Sequence, residues 1–148
     1  MQYGAGIYNI ATWADLINAH IIPGPGIIEG LRKVGLEKQR GLLLLAQMSS
    51  QGSLASDDYT NTAVNWAEKY SDFVCGFIAQ QRLSDNPSLL TLTPGISIHA
   101  GAGQLQQKYR TAQQAFASGS DIIIVGRDIY KSKDPAATAA EFSSMTKN

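Results

Sequence analysis

Gly119-Ser120-Asp121-Ile122-Ile123-Ile124-Val125-Gly126-Arg127 is the stretch that decides how this sequence folds. Four branched apolar residues run together and stop at a glycine. A run this short, with branched side chains at every position, suits a strand buried on both faces, as in a parallel sheet. Four earlier runs read the same way: residues 13–22 with polar interruptions, 42–48, 73–78 and 89–92.

Amphipathic segments with recognisable ends lie between these runs. Ile27, Ile28, Leu31 and Val34 form a helical stripe on a segment that ends at Gly35. Ser56 reads as an N-cap, followed by Asp57 and Asp58 in the first turn, where the helix dipole favours anions. Tyr59, Ala63, Trp66 and Tyr70 then share one apolar face. Thr111 is placed to cap a short helix before Ser118-Gly119, and Asp134-Pro135 is a capping residue with proline at the first helical position. The order β-α-β-α-β-loop-β-α-β-α implies a parallel sheet covered by helices, either doubly wound or closed. A complete (β/α)₈ barrel takes ~250 residues. The 148 residues read as one domain with five strands, the last half and more of such a barrel.

Composition agrees with a globular domain: 44% of residues are hydrophobic and 16% charged. A domain of this size buries roughly 70% of its unfolded surface. Twelve basic residues balance twelve acidic ones, so nucleic acid and anionic membrane, which need a basic surplus, are not expected as main partners. No apolar run approaches the ~20 residues of a membrane span. Residues 1–4 do not start a signal peptide. The single Cys75, inside an apolar run, reads as a small core residue; with no disulfide framework, the cytoplasm is the expected compartment.

Chemistry in parallel α/β folds gathers at the carboxyl ends of strands. Residues 42–48 run into Ser49-Ser50-Gln51-Gly52-Ser53, residues 73–78 into Ala79-Gln80-Gln81-Arg82, and residues 89–92 into Thr93-Pro94-Gly95. The last strand runs into Gly126-Arg127. Phosphate sites in β/α barrels often use the loops after the final two strands. Before the last strand lies a long loop with Gly101 and Gly103, then Gln107 and Tyr109, each able to donate a hydrogen bond. The Gly126 amide can approach an anion closely, and Arg127 offers a planar fork suited to phosphate. The bland alternative pairs Arg127 with an acid at a helix start. Asn18 and His20 share a strand face, where a structural hydrogen bond is the expected role. His99 has no partner at ligand spacing, so no metal is expected. The glycines form no Gly-x-Gly-x-x-Gly turn, which argues against a dinucleotide.

Several segments, in order and spacing, resemble one family, the orotidine-5′-phosphate decarboxylases. They are Ala14-Asp15-Leu16-Ile17-Asn18-Ala19-His20, Met48-Ser49-Ser50-Gln51-Gly52-Ser53-Leu54, Leu92-Thr93-Pro94-Gly95, Gln107-Lys108-Tyr109-Arg110-Thr111 and the opening stretch from Gly119 to Arg127. The likeness is greatest to the eukaryotic type, as in the decarboxylase part of UMP synthase. It implies a homodimeric (β/α)₈ TIM barrel, here partial. The implied reaction converts orotidine 5′-monophosphate to UMP and carbon dioxide, with no metal or organic cofactor. By the same resemblance Gln107, Tyr109, the Gly126 amide and Arg127 form the phosphate grip. Ser49 contacts the pyrimidine and its carboxylate region, Pro94 lines the base pocket, and residues 96–109 form a lid.

The departures are as informative. The family's chemistry rests on an Asp-x-Lys-x-x-Asp motif, whose lysine gives the proton and one of whose aspartates comes from the partner subunit. No such motif occurs in these 148 residues; Lys69 and Asp72 have the final spacing, but position 67 is Ala and the segment reads as a helix. The family's motif falls just before the segment resembling Gln2-Tyr3. The expectation is therefore the carboxyl-terminal part of a decarboxylase, with no catalytic residue of its own and inactive alone. The alternative is a non-catalytic remnant that binds a nucleotide monophosphate or dimerises.

Overall fold

The computed structural model of the chain describes residues 2–50, 52–98, 101–102 and 108–145. Two compact units emerge. The first comprises Met1–Gln47, Ala55–Ile78 and Ser84–Leu90; the second comprises Met48–Leu54, Ala79–Leu83 and Thr91–Asn148.

The first unit holds α1 (Gln2–Ala5), a 3₁₀ turn at Ile10–Thr12, β1 (Leu16–Ala19), α2 (Gly26–Gly35), β2 (Gly41–Leu45), α3 (Asp57–Lys69) and β3 (Val74–Ile78). β1 runs parallel to β2, with Leu16 opposite Gly41 and Ala19 opposite Leu44. β2 runs parallel to β3, and the register slips between Leu42 and Leu43, so that Leu43 faces Gly76. Gly76 has φ +152, and a Cβ there would lie 2.1 Å from the Leu90 carbonyl oxygen. No larger residue fits that approach. Ile28, Leu42, Leu44, Val74 and Phe77 are buried and form this unit's core.

Two expectations need correction here. The first strand covers only Leu16–Ala19, because turns and bends at residues 13–15 and 21–23 cut the expected run at both ends. Trp13 lies out at 66% exposure, with its indole N–H donating to the Tyr8 carbonyl at 2.9 Å. The buried face of α3 is Thr60, Ala63 and Ala67, continued by Tyr70, rather than the stripe through Tyr59 and Trp66. Small side chains let the helix lie close, and the Thr60 hydroxyl donates to the Ala46 carbonyl at 3.0 Å. Ser56 does sit at the N-cap, although its side chain makes no capping bond.

The second unit takes in β4 (Leu90–Thr93) from Thr91 on, β5 (Gly101–Ala102), β6 (Lys108–Tyr109), α4 (Ala112–Ala117), β7 (Ile122–Ile123), α5 (Arg127–Tyr130) and α6 (Pro135–Met145). β4 runs parallel to β7, with Leu92 opposite Ile122 and Thr93 opposite Ile123. β7 is shorter than the apolar run that encodes it, yet the Ile124 N–H still donates to the Thr93 carbonyl at 2.8 Å. Thr111 caps α4 with a full capping box: its Oγ accepts from the Gln114 N–H at 3.2 Å, and the Gln114 side chain accepts from the Thr111 N–H at 3.0 Å. The Asp134 carboxylate accepts from the Ala137 N–H at 3.0 Å at the start of α6. Ile96, Ala112, Ala115 and Phe142 form the core of this unit, with Ile98, Ile123, Val125 and Ile129 packed against it. Among the described residues, no helix is long and apolar enough to cross a membrane.

Candidate phosphate site

The backbone at the carboxyl ends of β4 and β7 builds the site within the second unit. Pro94 follows β4, and Gly95 takes φ +79, a turn that a side chain resists. The chain then runs beside the segment that carries Tyr109. The Arg110 N–H donates to the Gly95 carbonyl at 3.0 Å, the Ser97 N–H donates to the Arg110 carbonyl at 2.9 Å, and Ile96 bridges Arg110 in parallel. β5 and β6 pair antiparallel, with Gly101 opposite Tyr109. The Arg110 guanidinium turns away to donate to the Gln80 and Gln114 carbonyls and to the Ser118 hydroxyl. Arg110 is thus a structural clamp, whereas Arg127 borders the candidate site.

After β7 the chain reaches Gly126 and enters α5 at Arg127. The guanidinium carbon of Arg127 lies 5.4 Å from the centroid of the Tyr109 ring, within cation–π range. Together these residues border a cavity of about 190 Å³, where Ser49, Pro94, Tyr109, Gly126 and Arg127 meet. These are five of the six residues singled out from sequence; the sixth, Gln107, lies outside the described residues, as do His99 and half of the expected lid. Ile96 and Ile124 supply an apolar wall. A Cβ on Gly126 would meet nothing within 4 Å, so the backbone there is open to a ligand.

Asp128 also borders the cavity, and the sequence reading passed over it. Its Oδ2 accepts the Ser97 hydroxyl at 2.7 Å and the Ile98 N–H at 2.9 Å. Its place beside Arg127 was the available signal, but adjacency in sequence does not say what a carboxylate bonds.

Weaker candidates resolve into structural roles in the first unit. His20 Nδ1 and the Tyr59 hydroxyl lie 2.9 Å apart, and that hydroxyl accepts the Ile21 N–H at 3.1 Å. Asp15 pairs with Arg40. α3 ends at Lys69, and Asp72 beyond it is gripped by Arg32, whose Nε donates to Oδ2 at 2.8 Å. That hydrogen bond holds the Asp72 carboxyl below the usual range. The Cys75 thiol donates to the Leu42 carbonyl at 3.5 Å, and burial pushes its pKa up, which disfavours the thiolate.

Parallel strands alternating with helices define a β/α-barrel protein, and an arginine and an exposed glycine backbone stand at the last strand's carboxyl end, where such barrels often bind phosphate. The sequence profile of the orotidine 5′-phosphate decarboxylase / HUMPS family matches residues 1–142, and the chain belongs to that family. It is 49% identical over 139 residues to uridine 5′-monophosphate synthase of Bos taurus, covering 93% of this chain and 29% of that protein. It is 47% identical over 145 residues to orotidine 5′-phosphate decarboxylase of Schizosaccharomyces pombe, covering 96% and 55%. The chain therefore spans about half the length, or less, of these relatives. The crystal structure of orotidine 5′-monophosphate decarboxylase from Sulfolobus solfataricus superposes with a TM-score of 0.72 at 21% identity, covering 95% of this chain and 65% of that one. That likeness shows the fold, a partial (β/α)₈ barrel.

Proposed function

We propose that this chain supplies the phosphate- and pyrimidine-binding part of an enzyme that converts orotidine 5′-monophosphate to UMP. The observation that carries the reading is the single cavity shared by Ser49, Pro94, Tyr109, Gly126 and Arg127. Arg127 and the Gly126 amide hold the phosphate, with Tyr109 and Gln107 as further donors; Pro94 lines the base, and Ser49 faces its carboxylate region. Loss of carbon dioxide leaves a carbanion with little handle for direct stabilisation. Binding energy from the remote phosphate then holds the reacting group in a desolvated, preorganised site. The proton donor belongs to an Asp-x-Lys-x-x-Asp motif that these 148 residues do not contain.

Titration calorimetry with UMP tests the binding half of this reading. Charge-assisted hydrogen bonds contribute about 1.5–3 kcal/mol, so Arg127→Ala should weaken UMP binding about 10- to 100-fold. No heat from wild type or variant would remove the reading. A decarboxylase assay tests the other half: substantial turnover by the chain alone would overturn the placing of the proton donor outside it.

A second reading, a non-catalytic module that binds a nucleotide monophosphate, draws on the same missing motif. It separates from the first when the chain is supplemented with the remainder of a family barrel: restored turnover favours the enzyme. A homodimer and a cytoplasmic setting belong to the proposal as well. The first rests on the family resemblance, and the second on the single half-buried cysteine.

A further inference from the structure

The cavity at Arg127 has a neighbour. A second cavity of about 370 Å³ borders the same Arg127 and Asp128, and is completed by Ile98, Lys131, Ser132 and Thr138. Asp128 thus stands on the border of both.

An acid is an unusual wall for a phosphate pocket, and this one is held in place. Its Oδ2 accepts both the Ser97 hydroxyl and the Ile98 N–H, and to swing away the carboxylate would have to abandon both. Among the described residues nothing donates to Oδ1. On the far side, Lys131 brings a positive charge. The Ser132 and Thr138 hydroxyls spend their protons on the Ile129 and Asp134 carbonyls at 2.9 and 3.0 Å, so neither donates to an anion as it stands. The second cavity therefore has room, two attracting charges in Arg127 and Lys131, and one repelling charge, Asp128, at its border with the first.

We propose that Asp128 is a specificity-determining residue that limits the Arg127 site to a single phosphate group. This rests on reading the Arg127 cavity as a phosphate site. A phosphate monoester carries about −1.5 to −2 charges at neutral pH and satisfies Arg127 within the first cavity. A second, linked phosphate would extend past Arg127 into the space that Lys131 borders. To do so it must pass the fixed carboxylate of Asp128, and like charges repel. The site then accepts a nucleoside monophosphate and turns away the diphosphate by charge, although the space for it exists.

The experiment is calorimetric titration of the whole chain and of Asp128→Asn with inorganic phosphate and pyrophosphate, then with UMP and UDP. Asparagine still offers an oxygen to Ser97 and Ile98, so the clamp remains while the charge goes. Wild type should prefer phosphate over pyrophosphate, and UMP over UDP, by tenfold or more. Asp128→Asn should shrink each preference at least tenfold, and adding Lys131→Ala should take back part of that gain. A purely structural Asp128 would instead weaken every ligand alike.

Wild type that binds pyrophosphate as tightly as phosphate overturns the proposal, whatever the variant does. A folded Asp128→Asn with an unchanged preference does the same. Should UMP bind no better than inorganic phosphate, the nucleotide reading fails alone, and the inorganic pair still decides the filter. A chain that binds no phosphate at all overturns both.

Discussion

Arg127 and Tyr109 stand face to face, the guanidinium carbon 5.4 Å from the ring centroid, although they belong to different elements, α5 and β6. The ring presents its negative face to the cation. Tyr109 also carries a hydroxyl at the border of the cavity. A cation–π contact contributes about 0.5–1 kcal/mol at such sites, and a neutral hydrogen bond about 0.5–1.5 kcal/mol. Tyr109→Phe, which keeps the ring, should weaken UMP binding by no more than about tenfold, and Tyr109→Ala should weaken it further. Equal losses in calorimetry would show that the ring face does nothing for Arg127.

Gly126 separates folding from binding. A methyl group added there meets no protein atom within 4 Å. Gly126→Ala should therefore melt within a degree or two of wild type, as surface changes do when they touch nothing (about ±0.5 kcal/mol). UMP binding should fall at least tenfold, because the methyl occupies the side the ligand needs. Unchanged affinity would move the ligand away from this glycine.

Thr93 carries a buried hydroxyl with no hydrogen-bond partner among the described residues. The residue is fully buried in β4, where an unpaired hydroxyl costs free energy. Thr93→Val keeps the shape and removes the polar atom. We expect it to stabilise the chain by about 1–2 kcal/mol in urea denaturation. A destabilising result would mean that the hydroxyl has a partner in the folded protein.

The pair Arg32–Asp72 predicts an acid limb in the stability curve. The hydrogen bond from Arg32 lowers the folded-state pKa of Asp72, so the unfolded chain binds more protons between the two values. This contribution is full above the unfolded value of ~3.9 and fades as pH falls through the lower, folded one. Both side chains are nearly half exposed, 41% and 47%, so solvent and salt reduce the effect. Asp72→Asn should lower the melting temperature modestly at pH 7 and converge with wild type near pH 2. A gap that persists at pH 2 would assign the loss to packing instead.

The local ends of the helices were readable residue by residue. Thr111 with Gln114 and Asp134 with Pro135 carry their caps in sequence, because a cap is satisfied within three or four residues. The stripe on α3 was misread for a physical reason: a large aromatic signals burial, but the close approach beside β2 demands small residues, so Thr60, Ala63 and Ala67 face inward. Trp13 and Tyr59 find their partners, the Tyr8 carbonyl and His20, by routes that no periodicity encodes.

The sequence by itself determined the alternation of buried strands and helices, the glycine and arginine that end the last strand, and hence a β/α barrel. Those features depend on side-chain chemistry and short-range spacing, which the chain states directly. Only the tertiary structure decided that Ser49, Pro94, Tyr109 and Arg127 border one cavity, that Arg110 serves as a clamp while Arg127 borders the site, and that Asp128 holds Ser97 and Ile98 at the border of a second cavity. Two arginines or two aspartates have the same chemistry in sequence. Which of them meets a ligand depends on which backbone carbonyls and amides the fold brings within hydrogen-bonding reach, and those partners come from distant parts of the chain.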